Sequence, residues 1–567
     1  MPGISGWLGG SAQHRAQLDA EHRAHRYDDG RYLIGWIGRE EGVDGPTLAK
    51  AYEAKGPAFL RKLEGRLTFA LIDRSRREIL LVLDRFGIHS LSYCPIERGV
   101  AFSTGANFPD LPDVSHKVDP QAIFNYVYFH MIPSPRGVFK GRRKLRAGEY
   151  VHHRRGELEH GVYWRPKYEA AERTSEDKLA KEFRETMKDA VRASCETAVG
   201  KVGAFLSGGT DSSTIAGHLG EVTGEPANTY SIGFDVPGYD ESEYAQIAVR
   251  HFQTKHHSYV VTPRDVLEAA PKLAAAYTEP FGNASAVATY YCARLAKEDG
   301  VQTLLGGDGG DEIFAGNERY AKQKLFEYYY TIPSSVRKLF LDPLASHSTG
   351  PLRKIGSYVR QARTPLPDRL ESYNFLSRIP PRDVFTAELL DTVDQEEPLN
   401  LLRECYNEAP TDNVLHRLLY MDLKFTLADN DLRKVGRTCE LVGIDARYPF
   451  LEPNLVDFAN RVPPELKLKG QKLRYFFKRA SEGFLPREIL TKPKHGFGVP
   501  CGRWMRDDPA LRELAYDSLS SLERRGYVSK AFIERLRKLH QGEHVDYYGV
   551  MVWVLTMLEL WHQHHAP

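Results

Sequence analysis

The stretch Val202-Gly203-Ala204-Phe205-Leu206-Ser207-Gly208-Gly209-Thr210-Asp211-Ser212-Ser213-Thr214-Ile215-Ala216-Gly217-His218-Leu219 decides how the rest of the chain is read. Val202 to Leu206 is a short apolar run suited to a buried strand, and Ser212 to Leu219 carries a helical pattern. The serine and two glycines between them let the backbone curl until its amides converge, and a helix N-terminus adds partial positive charge. Such a loop cradles an anion. Ser207, Ser212 and Ser213 add hydroxyl donors, while Asp211 places a carboxylate inside the anion site. That carboxylate makes physical sense if it holds a divalent metal that bridges phosphates. A plain glycine turn with capping serines competes with this reading, but the strand before and the helix after weaken it. No Gly-Lys-Ser/Thr follows, so this is not a Walker loop.

Outward from this loop the rhythm repeats. Thr229–Phe234, Ser258–Val261 and Val301–Leu305 read as strands, and Glu241–Phe252 and Val287–Ala296 as helices. Strands alternating with helices imply crossovers and a parallel, doubly wound sheet. Upstream, Leu179, Phe183, Met187 and Val191 form the stripe of an amphipathic helix; from residue 320 on, helical patterns dominate. The last strand runs into Gly306-Gly307-Asp308-Gly309-Gly310-Asp311-Glu312, which belongs at the carboxyl edge of the same sheet, where such folds bind ligands. Two carboxylates separated by two glycines can face a metal and a substrate together, although a surface turn would look similar.

Residues 1–165 read differently. Gly65–Asp73 and Glu78–Asp84 are apolar runs joined by the charged turn Arg74–Arg77, and Ser90–Cys94 and Val100–Ser103 continue the pattern. This is an antiparallel meander packed on another layer. The polar stretch 166–178 is read as a linker, with a second domain from 179 to 567. A length of 567 residues agrees with more than one domain.

Composition narrows the function classes. Hydrophobic residues at 42% and charged residues at 27% are ordinary globular values, which excludes a disordered or fibrous chain. The net charge of +2, from 77 basic and 75 acidic side chains, gives no whole-chain reason to expect a nucleic acid or membrane partner. Six cysteines (Cys94, Cys195, Cys292, Cys405, Cys439, Cys501) include no Cys-x-x-Cys pair, so zinc ribbons and dithiol redox sites lack their spacing. The opening residues have no basic start followed by an apolar stretch, and the run Val550–Leu558 is too short to span a membrane. A soluble cytoplasmic protein is expected, its oligomeric state open and a homodimer included.

Several of these motifs together carry a resemblance. Ser207–Ser213, Gly306–Glu312, Asp445-Ala446-Arg447-Tyr448-Pro449-Phe450-Leu451, Lys492-Pro493-Lys494-His495-Gly496-Phe497-Gly498-Val499-Pro500 and the closing Trp553–Trp561 helix occur in the order of the asparagine synthetase family. Asp73 and Asp84-Arg85-Phe86-Gly87-Ile88 resemble the end of that family's N-terminal glutaminase domain. The resemblance implies a glutaminase-like α+β sandwich of Ntn type, followed by an α/β ATP-pyrophosphatase-type synthetase domain with helical elaboration. It implies ATP and Mg²⁺, a carboxylate activated as an acyl-adenylate, and an amine or ammonia that displaces AMP. Carried over residue by residue, Ser207, Gly208, Gly209, Asp211, Ser212 and Ser213 would bind ATP and its pyrophosphate. Leu206, Ile232, Gly306 and Gly307 would line the nucleotide, Asp211 and Asp311 would hold Mg²⁺, and Asp308 would face the acyl or amine centre. Lys494 would neutralise charge on the phosphate and tetrahedral intermediate, with Lys492 a solvated neighbour whose loss is expected to be nearly silent.

The chain also departs from the family. Glutamine-dependent members begin Met-Cys-Gly-Ile, whereas this sequence reads Met1-Pro2-Gly3-Ile4-Ser5, and Ser5 lacks an adjacent free amine as base. The family's arginine-leucine-serine-isoleucine and asparagine-glycine-glutamate segments are absent; only Ile34–Glu40 stands near their place. A glutaminase-like fold without glutaminase activity is expected. The amine would then be ammonia or one carried by the substrate, as in the β-lactam synthetases, carbapenam synthetases and lasso peptide cyclases of this family. A small-molecule or peptide carboxylate is the expected partner. A non-catalytic scaffold would predict decay of the ATP loop, which is intact. A tRNA-thiolating relative would want paired cysteines.

Overall fold

The computed structural model describes residues 3–9, 15–21, 24–38, 42–105, 108–169, 175–346, 353–493, 498–542 and 544–566. The N-terminal half is built from strands β1 (Gly3–Gly9), β2 (Arg15–Glu21), β3 (His25–Asp28), β4 (Tyr32–Ile37), β5 (Thr68–Asp73), β6 (Glu78–Val82), β7 (Ser92–Ile96), β8 (Gly99–Ser103), β9 (Arg143–Lys144), β10 (Glu149–Arg154) and β11 (Glu157–Val162). They form two antiparallel sheets, ordered β2-β1-β8-β7-β9 and β11-β10-β6-β5-β4-β3. Every residue of β5 is buried because both faces are covered. Ala70 and Ile72 pack with Ile4, Leu18 and Phe102 between the sheets, whereas Phe69 and Leu71 pack with Leu48 and Tyr52 of the outer helix α1 (Gly45–Lys55). The period-two alternation of a strand thus feeds two separate cores.

One element of this half belongs structurally to the other. Helix α2 (Pro120–Phe129) starts at Asp119, whose side chain accepts the Gln121 N–H. Its Tyr126, Val127 and Ile123 join a core with Val552, Trp553, Leu555 and Trp561 of the C-terminal helix Val545–His565. The Tyr126 hydroxyl donates to the Val554 carbonyl at 2.7 Å. The sequence reading placed residues 1–165 in a first domain and did not foresee this packing, because the partner lies far away in the chain. Buried polar contacts complete the junction: Lys144 Nζ lies 2.5 Å from Glu279 Oε2, and Arg433 donates to the Gly87 and His89 carbonyls.

The C-terminal half carries a parallel five-stranded sheet of β12 (Lys201–Phe205), β13 (Asn228–Phe234), β14 (Lys255–Val261), β15 (Val301–Leu305) and β16 (Asp445–Arg447). Its order is β14-β13-β12-β15-β16. The chain proceeds outward through three strands, then returns to place β15 on the other side of β12. This reversal opens a crevice beyond the carboxyl ends of β12 and β15, the place where open parallel sheets bind ligands. Helices α3 (Glu176–Glu196), α4 (Thr210–Thr223), α5 (Ser242–Phe252), α6 (Pro263–Ala276) and α7 (Ser285–Glu298) accompany the sheet. The α3 stripe of Leu179, Phe183, Met187 and Val191 is buried as its spacing predicts, and Ser175 caps it by accepting the Lys178 N–H. Helix α3 therefore begins inside the expected 166–178 linker, whose residues 170–174 lie outside the described residues. Among the described residues, no helix is long and apolar enough to cross a membrane.

Candidate active site

Two glycine-rich turns leave adjacent strands and meet at Asp211. After β12, Gly208 adopts φ +69° and a Cβ there would collide with the Tyr244 backbone, so this position calls for glycine. The Ser207 N–H donates to Ser212 Oγ at 3.2 Å and the two hydroxyls lie 3.1 Å apart, which closes the turn onto the first residues of α4. After β15, the second turn leads into the short helix α8 (Gly310–Phe314). A Cβ on Gly307 would lie 3.0 Å from Asp211 Cβ, and one on Gly310 would lie 2.8 Å from Asp211 Cγ. The bare glycines let the second turn close directly over the first.

Between the turns sits an arginine that the sequence reading did not single out. Arg474 Nη2 donates to Asp211 Oδ2 at 2.6 Å and also to Asp311 Oδ1, while Nη1 donates to Asp211 Oδ1 and Thr210 Oγ1. Burial opposes its charge, but the two carboxylates outweigh it and hold the guanidinium firmly protonated. Asp211 and Asp311 do converge, as expected of a shared metal site, and their mutual ligand in this structure is Arg474. Hard carboxylate oxygens facing a phosphate cradle suit Mg²⁺, which commonly takes one or two carboxylates plus substrate phosphates. Among the described residues no set of three or more His, Cys, Asp or Glu gathers as a self-sufficient metal site. The two carboxylates, Asp211 and Asp311, are thus a partial donor set that would need oxygens from elsewhere to complete a metal's coordination.

A second charged group stands beside the first. Lys434 Nζ lies 3.0 Å from Asp431 Oδ1 and 4.0 Å from Asp308 Oδ1. Burial pushes the Asp308 carboxyl up to about 6, with Lys434 opposing the shift and Asp431 adding to it. Glu312 is 6% exposed, and burial together with Asp311 and Asp431 raises its carboxyl well above the usual range. A carboxyl poised near neutrality at a cleft wall can take or give a proton at ordinary pH.

These groups line one cavity of about 1220 Å³. Leu206, Ser207, Gly209, Asp211, Ser212, Ile232, Gly307, Asp308 and Asp311 are in its wall, so the structure brings together most of the residues expected from sequence. Gly208 and Gly306 serve as turn backbone behind the wall. Ser213, expected to offer its hydroxyl to the ligand, is fully buried within α4 and lies outside the cavity wall, its hydroxyl without a partner among the described residues. Lys494 lies outside the described residues. Lys492 is also corrected, since it is not a solvated neighbour: its side chain is 8% exposed, pairs with Glu241 at 3.1 Å and lies over the Tyr244 ring, in the cavity wall. Arg474, Lys434, Asp431 and Glu312 were missed as individuals. Arg474 stands between Leu473 and Tyr475, in a stretch that also holds Lys472, Lys478 and Arg479, and nothing in that local pattern points to Asp211 or Asp311.

Comparison with known proteins agrees with this geometry. A family model described as asparagine synthase matches residues 182–563, and one described as a glutamine amidotransferase domain matches residues 40–164. The protein named asparagine synthetase [glutamine-hydrolyzing] 1 of Bacillus subtilis (strain 168) is 26% identical over 521 residues, spanning 92% of this chain and 80% of that protein. A putative asparagine synthetase [glutamine-hydrolyzing] 2 of Methanocaldococcus jannaschii is 30% identical over 416 residues, spanning 71% of this chain and 77% of its own. A Gibberella zeae protein named amidase chry2 is 25% identical over 504 residues, with 80% and 72% covered.

Proposed function

The chain belongs to the asparagine synthase family of ATP-dependent carbon–nitrogen ligases, and from that premise we propose that it forms an amide through an acyl-adenylate at the crevice between β12 and β15. The observation that carries this reading is the meeting of two glycine turns at Asp211, on either side of the strand-order reversal. The loop amides, Ser207, Ser212 and the α4 N-terminus hold the pyrophosphate, and Leu206, Ile232 and Gly307 surround the nucleoside, with Gly306 shaping the turn behind them. A substrate carboxylate oxygen attacks the α-phosphorus, the α–β bridging bond breaks, and pyrophosphate leaves. Two anions must approach for this step, so cationic help is needed from the chain. Asp211 and Asp311 would hold Mg²⁺, which supplies charge neutralisation at the phosphates. Lys494 is assigned the charge that grows on the phosphate and the tetrahedral intermediate. The amine nitrogen then attacks the acyl carbon, AMP departs with the carbon–oxygen bond, and the amine proton passes to Asp308.

The nitrogen does not come from glutamine hydrolysed by this chain. The segments that grip glutamine are absent from residues 1–165, where the single cysteine is Cys94. Cys94 is buried and burial pushes its thiol up, the reverse of what a nucleophilic thiolate requires. Ammonia or a substrate-borne amine is the donor. The cavity of about 1220 Å³ has room for a nucleotide together with a carboxylate substrate. All six cysteines are free, which suits the cytoplasm.

The test is exchange of labelled pyrophosphate into ATP, run with Mg²⁺ and a panel of carboxylates that starts with aspartate. Exchange that requires one carboxylate supports the proposal. Release of ADP and phosphate in place of AMP and pyrophosphate would sink it.

A further inference from the structure

Arg474 occupies an unusual position for a basic residue beside an ATP loop. It bonds both carboxylates of the proposed metal pair, and through Asp211 it does so with both terminal nitrogens. Its backbone is left-handed, at φ 51° and ψ 32°, a region that non-glycine residues seldom occupy and that costs free energy to hold. That conformation starts the helix Tyr475–Ala480 and turns the Arg474 N–H toward the Ala315 carbonyl at 3.3 Å. Gly316, next in the chain, leaves the room: a Cβ there would collide with Asp311 Oδ1 and Arg474 Nε. The Nε of Arg474 is buried with no acceptor among the described residues, although it lies in a side chain that lines the nucleotide cavity. A buried guanidinium donor left unmade is costly unless an acceptor arrives.

A guanidinium bonded to both Asp211 oxygens and to Asp311 Oδ1 competes with a divalent ion for the same oxygens. Mg²⁺ needs oxygens at ~2.0–2.1 Å, and a positive charge already bonded to those oxygens repels it across a partly desolvated site. Resting on the ligase reading above, we propose that Arg474 is the resident counter-ion of Asp211 and Asp311, seated where the metal goes until a nucleotide brings the metal in. The incoming polyphosphate then offers the guanidinium a new acceptor, including one for Nε, and Arg474 turns from the carboxylates to the phosphates. It is a positioning residue with two seats. The site keeps its two acidic groups compensated when empty, and it admits metal only together with its nucleotide.

Mn²⁺ titration of the full chain, followed by electron paramagnetic resonance, reads this without turnover. Wild type without nucleotide should leave Mn²⁺ free at sub-millimolar concentrations, and α,β-methylene-ATP should bring it onto the protein. Arg474→Gln should bind Mn²⁺ alone at least ~10-fold more tightly than wild type, and the further change Asp311→Asn should remove that gain. Nucleotide-free wild type that binds Mn²⁺ as tightly as Arg474→Gln would overturn the proposal. If Arg474→Gln does not fold, the wild-type arm decides alone: equal Mn²⁺ uptake with and without the analogue overturns it. Failure of the ligase reading shows separately, as absence of pyrophosphate exchange whatever the Mn²⁺ result.

Discussion

Asp84 in the N-terminal half and Asp308 in the C-terminal half both follow apolar strands closely, and the structure surrounds them with opposite provisions. Asp84 is fully buried and accepts from the Thr68 hydroxyl at 3.1 Å and from the N–H groups of Phe86, Ile88 and His89 at 3.0, 3.0 and 3.3 Å. Asp73 repeats the pattern: burial pushes its carboxyl up, but Ser75, the Arg76 N–H and Arg31 outweigh that and leave it below the usual range. Asp308 has Lys434 at 4.0 Å as its cationic neighbour and rises to about 6. A carboxylate that takes three backbone donors is committed to shaping a turn. One left short of donors in a cavity wall is available for chemistry. The contrast separates a carboxylate that holds N-terminal architecture from one at the C-terminal sheet edge, where charge concentrates.

The sharpest way to break this comparison is to exchange the outcomes. Asp308→Asn should lower kcat by ~10²–10⁴, the range for a lost proton acceptor, without loss of thermal stability. Asp84→Ala should strand three backbone N–H groups, those of Phe86, Ile88 and His89, and cost about 2–4 kcal/mol, read as a fall in Tm, with the folded fraction keeping its turnover. Loss of stability in the first and loss of turnover in the second would reverse the assignment.

The acid limb of the pH profile sharpens it further. In the free enzyme Asp308 is ionised above about 6, so kcat/KM should fall as pH drops through that value and flatten in Asp308→Asn. The sign for stability is opposite. A carboxyl whose folded value lies above its unfolded 3.8 contributes stability below pH 3.8 and loses that contribution as pH rises through 6. Asp308→Asn should therefore match or exceed wild-type Tm at pH 7. The smallest effect is expected at Lys492. Its pairing with Glu241 inside the cavity predicts that Lys492→Ala raises the KM for ATP by ~10-fold through lost charge at the phosphate site. An unchanged KM would restore Lys492 to the solvated role first read from sequence.

What could be read in advance follows the physics of each element. Strands β12 and β15 announce themselves as apolar runs leading into glycine turns, and the two turns are legible because only glycine permits such close approach. Strand β16 was not anticipated: Asp445-Ala446-Arg447 is a three-residue edge strand, half-buried throughout, with no apolar run to signal it. The seat of α2 in the C-terminal core depends on a contact between Tyr126 and Val554, which no local pattern encodes. Arg474 was missed and Lys492 misjudged for a shared reason. A basic residue looks solvated until tertiary structure supplies its buried carboxylate.

The crevice beyond the carboxyl ends of β12 and β15 is proposed to couple a carboxylate to the α-phosphorus of ATP. The direct measurement uses the carboxylate that supports exchange, labelled with ¹⁸O in both oxygens, with products read by mass spectrometry and ³¹P resonance. Attack on the α-phosphorus predicts one ¹⁸O in AMP for each amide formed and none in phosphate or pyrophosphate. Label in inorganic phosphate, with ADP as the nucleotide product, would contradict the account.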